Sequence, residues 1–444
     1  MSFEGRFMSE RDKAAPPIRI AMLGAGTVGS SVARLLNRHQ HDLAHRVGAD
    51  LELISVGVKD INKHREGIPQ SILTQDLNSV ALCGADIVIE VMGGIEPART
   101  LILAAMKAGS SVITANKALM AEDGAALYAA AEASGVDLYF EAAVAGAIPL
   151  IRPLRESLAG DRVTKVMGIV NGTTNFMLTK MDEEGADYDE VFAEAAALGY
   201  LEADPSLDVD GIDAAAKAAI LAELAFHTRV TLADVYCEGI GSVTKADIAA
   251  ARDMGFVIKL LAIAELIYAE DREDGIVVRV HPAMIPLNHP LANVRGSFNA
   301  VFVHAEAAGE MMFYGRGAGG DPTASAVLGD VVAAARHRVL GGRGPGESTY
   351  SGLNVLGIGR AETRYYVNLD VRDRPGVLAQ IATAFAANGV SIQVVRQDGH
   401  GSEAGLIVRT HRGSEAALRA TVDQLESMDE VRKVVGVMRV EGED

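Results

Sequence analysis

From residue 18 to about residue 140, short β-branched runs alternate with alanine-rich helical runs, and few folds accommodate that alternation. It predicts a parallel sheet joined by crossover helices. Five strands are placed, at residues 18–23, 51–58, 85–91, 110–114 and 137–140. Open sheets of this kind hold ligands beyond the carboxyl ends of their strands. The five ends here read Gly24-Ala-Gly-Thr-Val-Gly29, Lys59-Asp60, Met92-Gly-Gly94, Ala115-Asn-Lys117 and Glu141.

A chain of 444 residues with 49% apolar side chains is long enough for two or three domains with real cores. Its net charge of -18 would repel phosphate backbones, which excludes nucleic acid as a partner while leaving room for a local basic patch. No apolar run reaches the length of a bilayer span, because Lys117, Lys217, Glu223 and Lys259 interrupt the best stretches. The first residues mix acidic and basic side chains and are not a secretory signal. Two distant cysteines, Cys83 and Cys237, argue against a disulfide framework or a zinc site and fit a reducing cytoplasm.

The organisation predicted is an arm at residues 1–17, a dinucleotide-binding domain at 18–140 and a substrate and dimerisation domain at 141–320. A helix at 321–340 is expected to pack back on the first domain, and the Gly/Pro/Ser-rich run within 341–363 reads as a linker. Residues 364–444 run strand, helix, strand, strand, helix, strand, the order of a ferredoxin-like split βαβ.

The glycines Gly24, Gly26 and Gly29 follow a strand and open a helix, so a pyrophosphate can approach the backbone where Thr27 and Val28 offer amide hydrogens. Lys59 after the second strand, with Lys63 and Arg65 beyond it, favours the 2′-phosphate of NADP; the adjacent Asp60 suits NAD. Lys117 stands at the mouth of the sheet, where a lysine can donate to a substrate oxygen. Glu141 precedes a small-residue turn that can serve as a cation site or as a plain hinge. Asn171 in Asn-Gly-Thr-Thr-Asn175 is by default a helix N-cap, with substrate contact as the alternative. The stretch 199–217 packs Glu202, Asp204, Asp208, Asp210 and Asp213 with Lys217 into an apolar run. Asp213 and Lys217 share one face of a helix that is apolar nearly all round, so Lys217 either finds carboxylate partners or loses its proton. The bland reading is an exposed ion pair below an acidic loop.

Taken together, these motifs resemble those of homoserine dehydrogenase in its bacterial form with a C-terminal ACT domain, over nearly the whole chain after the arm. Besides the glycine turn they include Gly93-Gly94, Thr114-Ala-Asn-Lys117, Asn171-Gly-Thr-Thr174, Gly199-Tyr-x-Glu-x-Asp-Pro205, Asp208, Asp213 with Lys217, and Gly317-Ala-Gly-Gly320. The resemblance implies a Rossmann-type domain, an α+β substrate domain and an ACT domain. It implies NAD(P)-dependent interconversion of L-homoserine and L-aspartate 4-semialdehyde, with Lys117 and Lys217 flanking the reacting oxygen. Lys217 is the favoured acid/base, on the argument that an apolar setting lowers its pKa. Glu202, Asp208 and Asp213, with Tyr200 and Thr173, would bind substrate; Gly93, Gly94, Lys117 and Gly319 join the cofactor site. Glu141 with the carbonyls of Val144, Gly146 and Ile148 matches a monovalent-cation site, sodium for example. The ACT segment implies an amino-acid effector, threonine, and a homodimer or homotetramer.

Two rivals are weighed. A semialdehyde reductase working through a thiohemiacetal needs a reactive cysteine, and neither Cys83 nor Cys237 has an adjoining histidine or basic group. An inert NAD(P)- and amino-acid-sensing regulator would be marked by loss of a site lysine, and both are present.

Overall fold

The computed structural model describes residues 15–201, 204–268, 274–347, 349–400 and 403–442; Glu202 and the first 14 residues of the arm lie outside them. Two units form: residues up to Ala159 with Gly315–Tyr350, and Gly160–Tyr314 with Ser351 onward.

The first unit is built on a six-stranded sheet. Its strands are β1 (Ile18–Leu23), β2 (Leu51–Gly57), β3 (Leu73–Thr74), β4 (Ile87–Glu90), β5 (Ser111–Thr114) and β6 (Leu138–Tyr139), in the order β3-β2-β1-β4-β5-β6. All pairs are parallel. Strand order reverses between β1 and β4, which places a ligand crevice beyond Leu23 and Glu90, partners in register. The two-residue β3 was not expected from the sequence, being too short to show a period. The helix Gly320–Leu340 packs on the helix Thr27–Arg38, its stripe Ala324, Val327, Val331 and Ala335 meeting Val32, Ala33 and Leu36 in one buried cluster. Each buried valine contributes about 1.5–3 kcal/mol, so packing holds this helix rather than the surface ion pair of Arg34 with Asp321.

The second unit carries a long sheet formed by β7 (Val163–Ile169), β8 (Tyr236–Cys237), β9 (Phe256–Ile267), β10 (Gly275–Pro286), β11 (Phe298–Ala305), β12 (Gly309–Arg316), β13 (Asn354–Val355), β14 (Glu362–Arg372), β15 (Ile392–His400), β16 (Glu403–Thr410), β17 (Gly413–Ser414) and β18 (Val431–Val440). The main path runs β12-β11-β7-β9-β10-β18-β14-β16-β15, with β8 and β13 on β10 and β17 on β14. β9 and β10 pair antiparallel from Ile267 and Gly275 to Phe256 and Pro286, and nearly every residue of both is buried. Two pairs, Ala283 with Arg439 and Met284 with Val440, join β10 to β18. The segment β18-β14-β16-β15, with helices Val377–Ala387 and Glu415–Glu426 over a core of Leu369, Ile381, Phe385, Leu406 and Leu425, has the ferredoxin-like order expected.

Charges inside this sheet are matched. Arg279 is wholly buried and donates at 3.0 Å to both Glu265 and Glu441. Burial opposes the ionisation of Glu441, but Arg279 and Lys165 outweigh it and hold its carboxyl well below the usual range.

Candidate active site

In the first unit, a cavity of about 560 Å³ opens beyond β1, β2 and β4, lined among others by Gly24, Gly26, Lys59, Lys63, Arg65 and Gly93. A side chain at Gly29 would stand 2.3 Å from the Gly24 carbonyl, so only glycine lets the helix Thr27–Arg38 start this close to β1. Gly26, by contrast, faces open space. These residues fit a dinucleotide: the turn offers the amides of Thr27 and Val28 at a helix start, and the cavity is basic at its far end. Arg65 ties that basic loop to the glycine turn, donating from Nε to the Ala25 carbonyl at 3.1 Å. Gln75 donates to the carbonyl of Lys59 at 2.6 Å, while the Asp60 carboxylate turns back onto the amide of Asn62 at 2.8 Å.

Lys117 is the first residue of the helix Lys117–Ser134, which Asn116 caps by accepting from the Leu119 amide at 3.1 Å. Gly319 lies at the start of the helix Gly320–Leu340, and a side chain at Gly320 would touch Ser31 and Thr27 of the glycine-turn helix. The Glu141 carboxylate accepts from the amides of Leu150, Ile151 and Arg152 at 2.6, 2.7 and 3.1 Å. Ala145 and Gly146 both have φ of 56°, a turn that reorients successive carbonyls, and a side chain on Gly146 would stand 2.4 Å from the Gly317 carbonyl.

In the second unit the acidic stretch and the Asn171 motif come together. The helix Ile212–Phe226 is buried along almost its whole length, which places Asp213 and Lys217 inside rather than at the surface. Lys217 Nζ donates to Asp213 Oδ2 at 2.6 Å and to the Val170 carbonyl at 2.7 Å. Of the two outcomes open to a buried lysine, the geometry shows the carboxylate partner. Asn171 takes its default role as the helix N-cap, its Oδ1 accepting from the Thr174 amide (2.8 Å), while its Nδ2 donates to Asp208 Oδ1 at 2.8 Å and Asp213 Oδ2 at 3.0 Å. One amide thereby holds two buried carboxylates together. Thr173 donates to the Tyr200 carbonyl at 2.8 Å, and the Tyr200 ring meets Phe176 edge-on.

Three polar residues here were not foreseen. Asn299 donates to the same Val170 carbonyl at 2.9 Å. Lys259, wholly buried, donates to Asn175 Oδ1 at 2.9 Å and the Val294 carbonyl at 2.6 Å. Burial and then Arg295 push its pKa down to about 7. The third is Glu90, inside the first sheet. The signal for all three was a lone polar residue in an apolar strand. Cys237 donates to the Asp210 carbonyl at 3.2 Å; desolvation and the Asp210 and Glu238 carboxylates push its thiol up to about 11, the wrong direction for a nucleophile. Among the described residues no cluster of His, Cys, Asp and Glu suits a metal, and no helix is long and apolar enough to cross a membrane.

Family profiles coincide with this architecture. Homoserine dehydrogenase, NAD binding domain, matches residues 24–141; Homoserine dehydrogenase matches 149–332; the ACT domain matches 365–430. The homoserine dehydrogenase of Corynebacterium glutamicum is 56% identical over 425 residues, 96% of either chain. This chain belongs to the homoserine dehydrogenase family. Among solved homoserine dehydrogenases, one from Thiobacillus denitrificans superposes with a TM-score of 0.89 at 39% identity, covering 96% of this chain and 98% of that one. A hyperthermophilic archaeal homoserine dehydrogenase in complex with NADPH matches with a TM-score of 0.61 at 27% identity, covering 75% of this chain and all of that one. Homoserine dehydrogenases are oxidoreductases, and the fold here is theirs: a Rossmann-type parallel sheet, a second sheet domain and an ACT domain. Membership in this family does not favour an inert sensor.

Proposed function

We infer that this chain interconverts L-homoserine and L-aspartate 4-semialdehyde, with NADP preferred over NAD. The observation that carries the reading is the buried cluster of Asn171, Asp208, Asp213 and Lys217. Two carboxylates held by one amide give a negative pocket that attracts the ammonium group of an amino acid, and Glu202 belongs to the same assignment. Lys217 uses two of its three N–H groups on Asp213 and Val170, and the third is assigned to the substrate oxygen. In the reducing direction Lys217 gives its proton to the aldehyde oxygen; in the oxidising direction it takes the hydroxyl proton back. Lys117 is assigned as a second donor to that oxygen. A bound nicotinamide supplies the hydride acceptor or donor at C4 of the substrate. Lys59, with Lys63 and Arg65, is assigned to the 2′-phosphate, since the cavity presents lysines and arginine there while Asp60 closes its own turn.

A monovalent cation, if held, takes the backbone carbonyls of Glu141, Val144, Gly146 and Ile148, because the Glu141 carboxylate is committed to three amides. The ACT domain is assigned an amino-acid effector, threonine, and the assembly a homodimer or homotetramer working in the cytoplasm. The test is absorbance at the nicotinamide band with L-homoserine and NADP or NAD, repeated with threonine present, alongside light scattering for assembly. Homoserine-dependent reduction is the expected result. No reduction with either cofactor, and no oxidation with the semialdehyde in reverse, would overturn the reading.

A further inference from the structure

Two turns of the first unit carry the residues assigned above to the cofactor and the reacting oxygen: Met92-Gly93-Gly94 after β4, and Ala115-Asn116-Lys117 after β5. Both are fastened to one buried side chain. Glu90 ends β4 with no solvent exposure, in register with Thr114 of β5. Its Oε1 accepts from the amides of Met92 at 2.7 Å and Gly93 at 3.0 Å. Its Oε2 accepts from the Thr114 hydroxyl at 2.6 Å, and that hydroxyl in turn accepts from the Asn116 amide at 3.0 Å. Asn116 Nδ2 closes the ring by donating to the Gly94 carbonyl at 2.6 Å. Gly93 and Gly94 have φ of 73° and 78°, so their turn is a shape that the flanking backbone does not enforce and that these bonds fix.

We propose that Glu90 is a positioning residue for the reaction, a buried carboxylate that sets the Gly93-Gly94 turn and Lys117 at a fixed offset from each other. A carboxylate suits the task chemically. It accepts from two amides at one oxygen and from a hydroxyl at the other, and it keeps both turns at the height of the strand ends from which they spring. An apolar residue at 90 would leave the two amides and the hydroxyl to find other acceptors, and the turns would settle independently. The inference rests on the functional reading above.

The test uses the full chain, with steady-state kinetics of homoserine oxidation, NADPH affinity by fluorescence titration and a melting curve for each variant. Glu90→Ala lowers kcat/KM by roughly 10²-fold, the scale of a 1 Å misplacement. Glu90→Gln recovers about tenfold or more of that loss, because the amide oxygen still accepts from the two backbone amides and its NH₂ donates to Thr114. Thr114→Val leaves Met92 and Gly93 held but frees the Lys117 turn, so kcat falls by a larger factor than NADPH affinity does. A role confined to stability would not produce that split. The proposal is overturned if folded Glu90→Ala and Thr114→Val keep kcat and both KM values within about threefold, or if Gln recovers nothing relative to Ala. Should Glu90→Ala fail to fold, Thr114→Val decides by itself. A wild-type enzyme with no homoserine-dependent turnover would remove the functional reading instead.

Discussion

Replacing Lys217 by methionine keeps the length of the side chain and removes its charge. Asp213, even more buried than the lysine, then faces Asp208 with Asn171 still donating but without its ammonium at 2.6 Å. Breaking a buried pair from one side costs about 3–5 kcal/mol, and the retained amide places this case near the lower end. For a unit of this size that corresponds to a fall of roughly 6–12 °C in its melting transition. With Lys217 assigned as the proton donor, its loss is expected to lower kcat by about 10²–10⁴-fold. The assay is calorimetry on Lys217→Met, Asp213→Asn and the double variant, with kcat measured for each. The double variant regains most of the lost stability, since a neutral amide replaces the buried carboxylate, yet stays inactive. If Lys217→Met melts with the wild type, the pair is not the buried ion pair described. If it turns over within about threefold of the wild type, the proton moves through another group and Lys117 is next to examine.

Lys59→Ala raises KM for NADP by about tenfold or more while leaving KM for NAD unchanged, since only the 2′-phosphate differs between the two; equal effects on both cofactors would count against the assignment. Lys259 has a folded pKa of about 7 against an unfolded value near 10.4. Between these, the unfolded chain binds the extra proton, so stability rises with pH from 7 to 10, by up to about 1.4 kcal/mol per pH unit, relative to Lys259→Met. Melting of both proteins across that range checks the sign. Gly146→Ala drives a methyl to 2.4 Å from the Gly317 carbonyl at a left-handed φ and destabilises the first unit by more than about 2 kcal/mol, read from its melting transition.

Much of the fold was written in local patterns. The strand-turn-helix at Gly24–Gly29 and the alternation along Tyr365, Val367, Leu369 and Val371 depend on neighbours in sequence, and the structure forms both elements. The burial of Lys217 was legible for the same reason, because its helix is apolar on every side. What could not be read was where long-range partners go. Nothing near Glu90 in sequence says that it spans to Thr114, nor that Asn299 and Lys217 converge on the Val170 carbonyl. Glu141 shows the limit from the other side. A carboxylate before a small-residue turn left a cation site and a plain hinge both open, and nothing local showed that the carboxylate itself accepts from three amides.

The join between β10 and β18 bears on how the protein is made. β18 lies between β10 and β14 although it follows both in the chain, so during synthesis the Ala283–Met284 end of β10, beyond the stretches that β8 and β13 cover, waits unpaired until Val431–Val440 has left the ribosome. Through that interval Arg279 has Glu265 but lacks Glu441, its second carboxylate. A chain cut short within the helix Glu415–Glu426 therefore carries an unpaired end of β10, an unpaired β14 edge and an under-neutralised arginine, a species suited to chaperone capture.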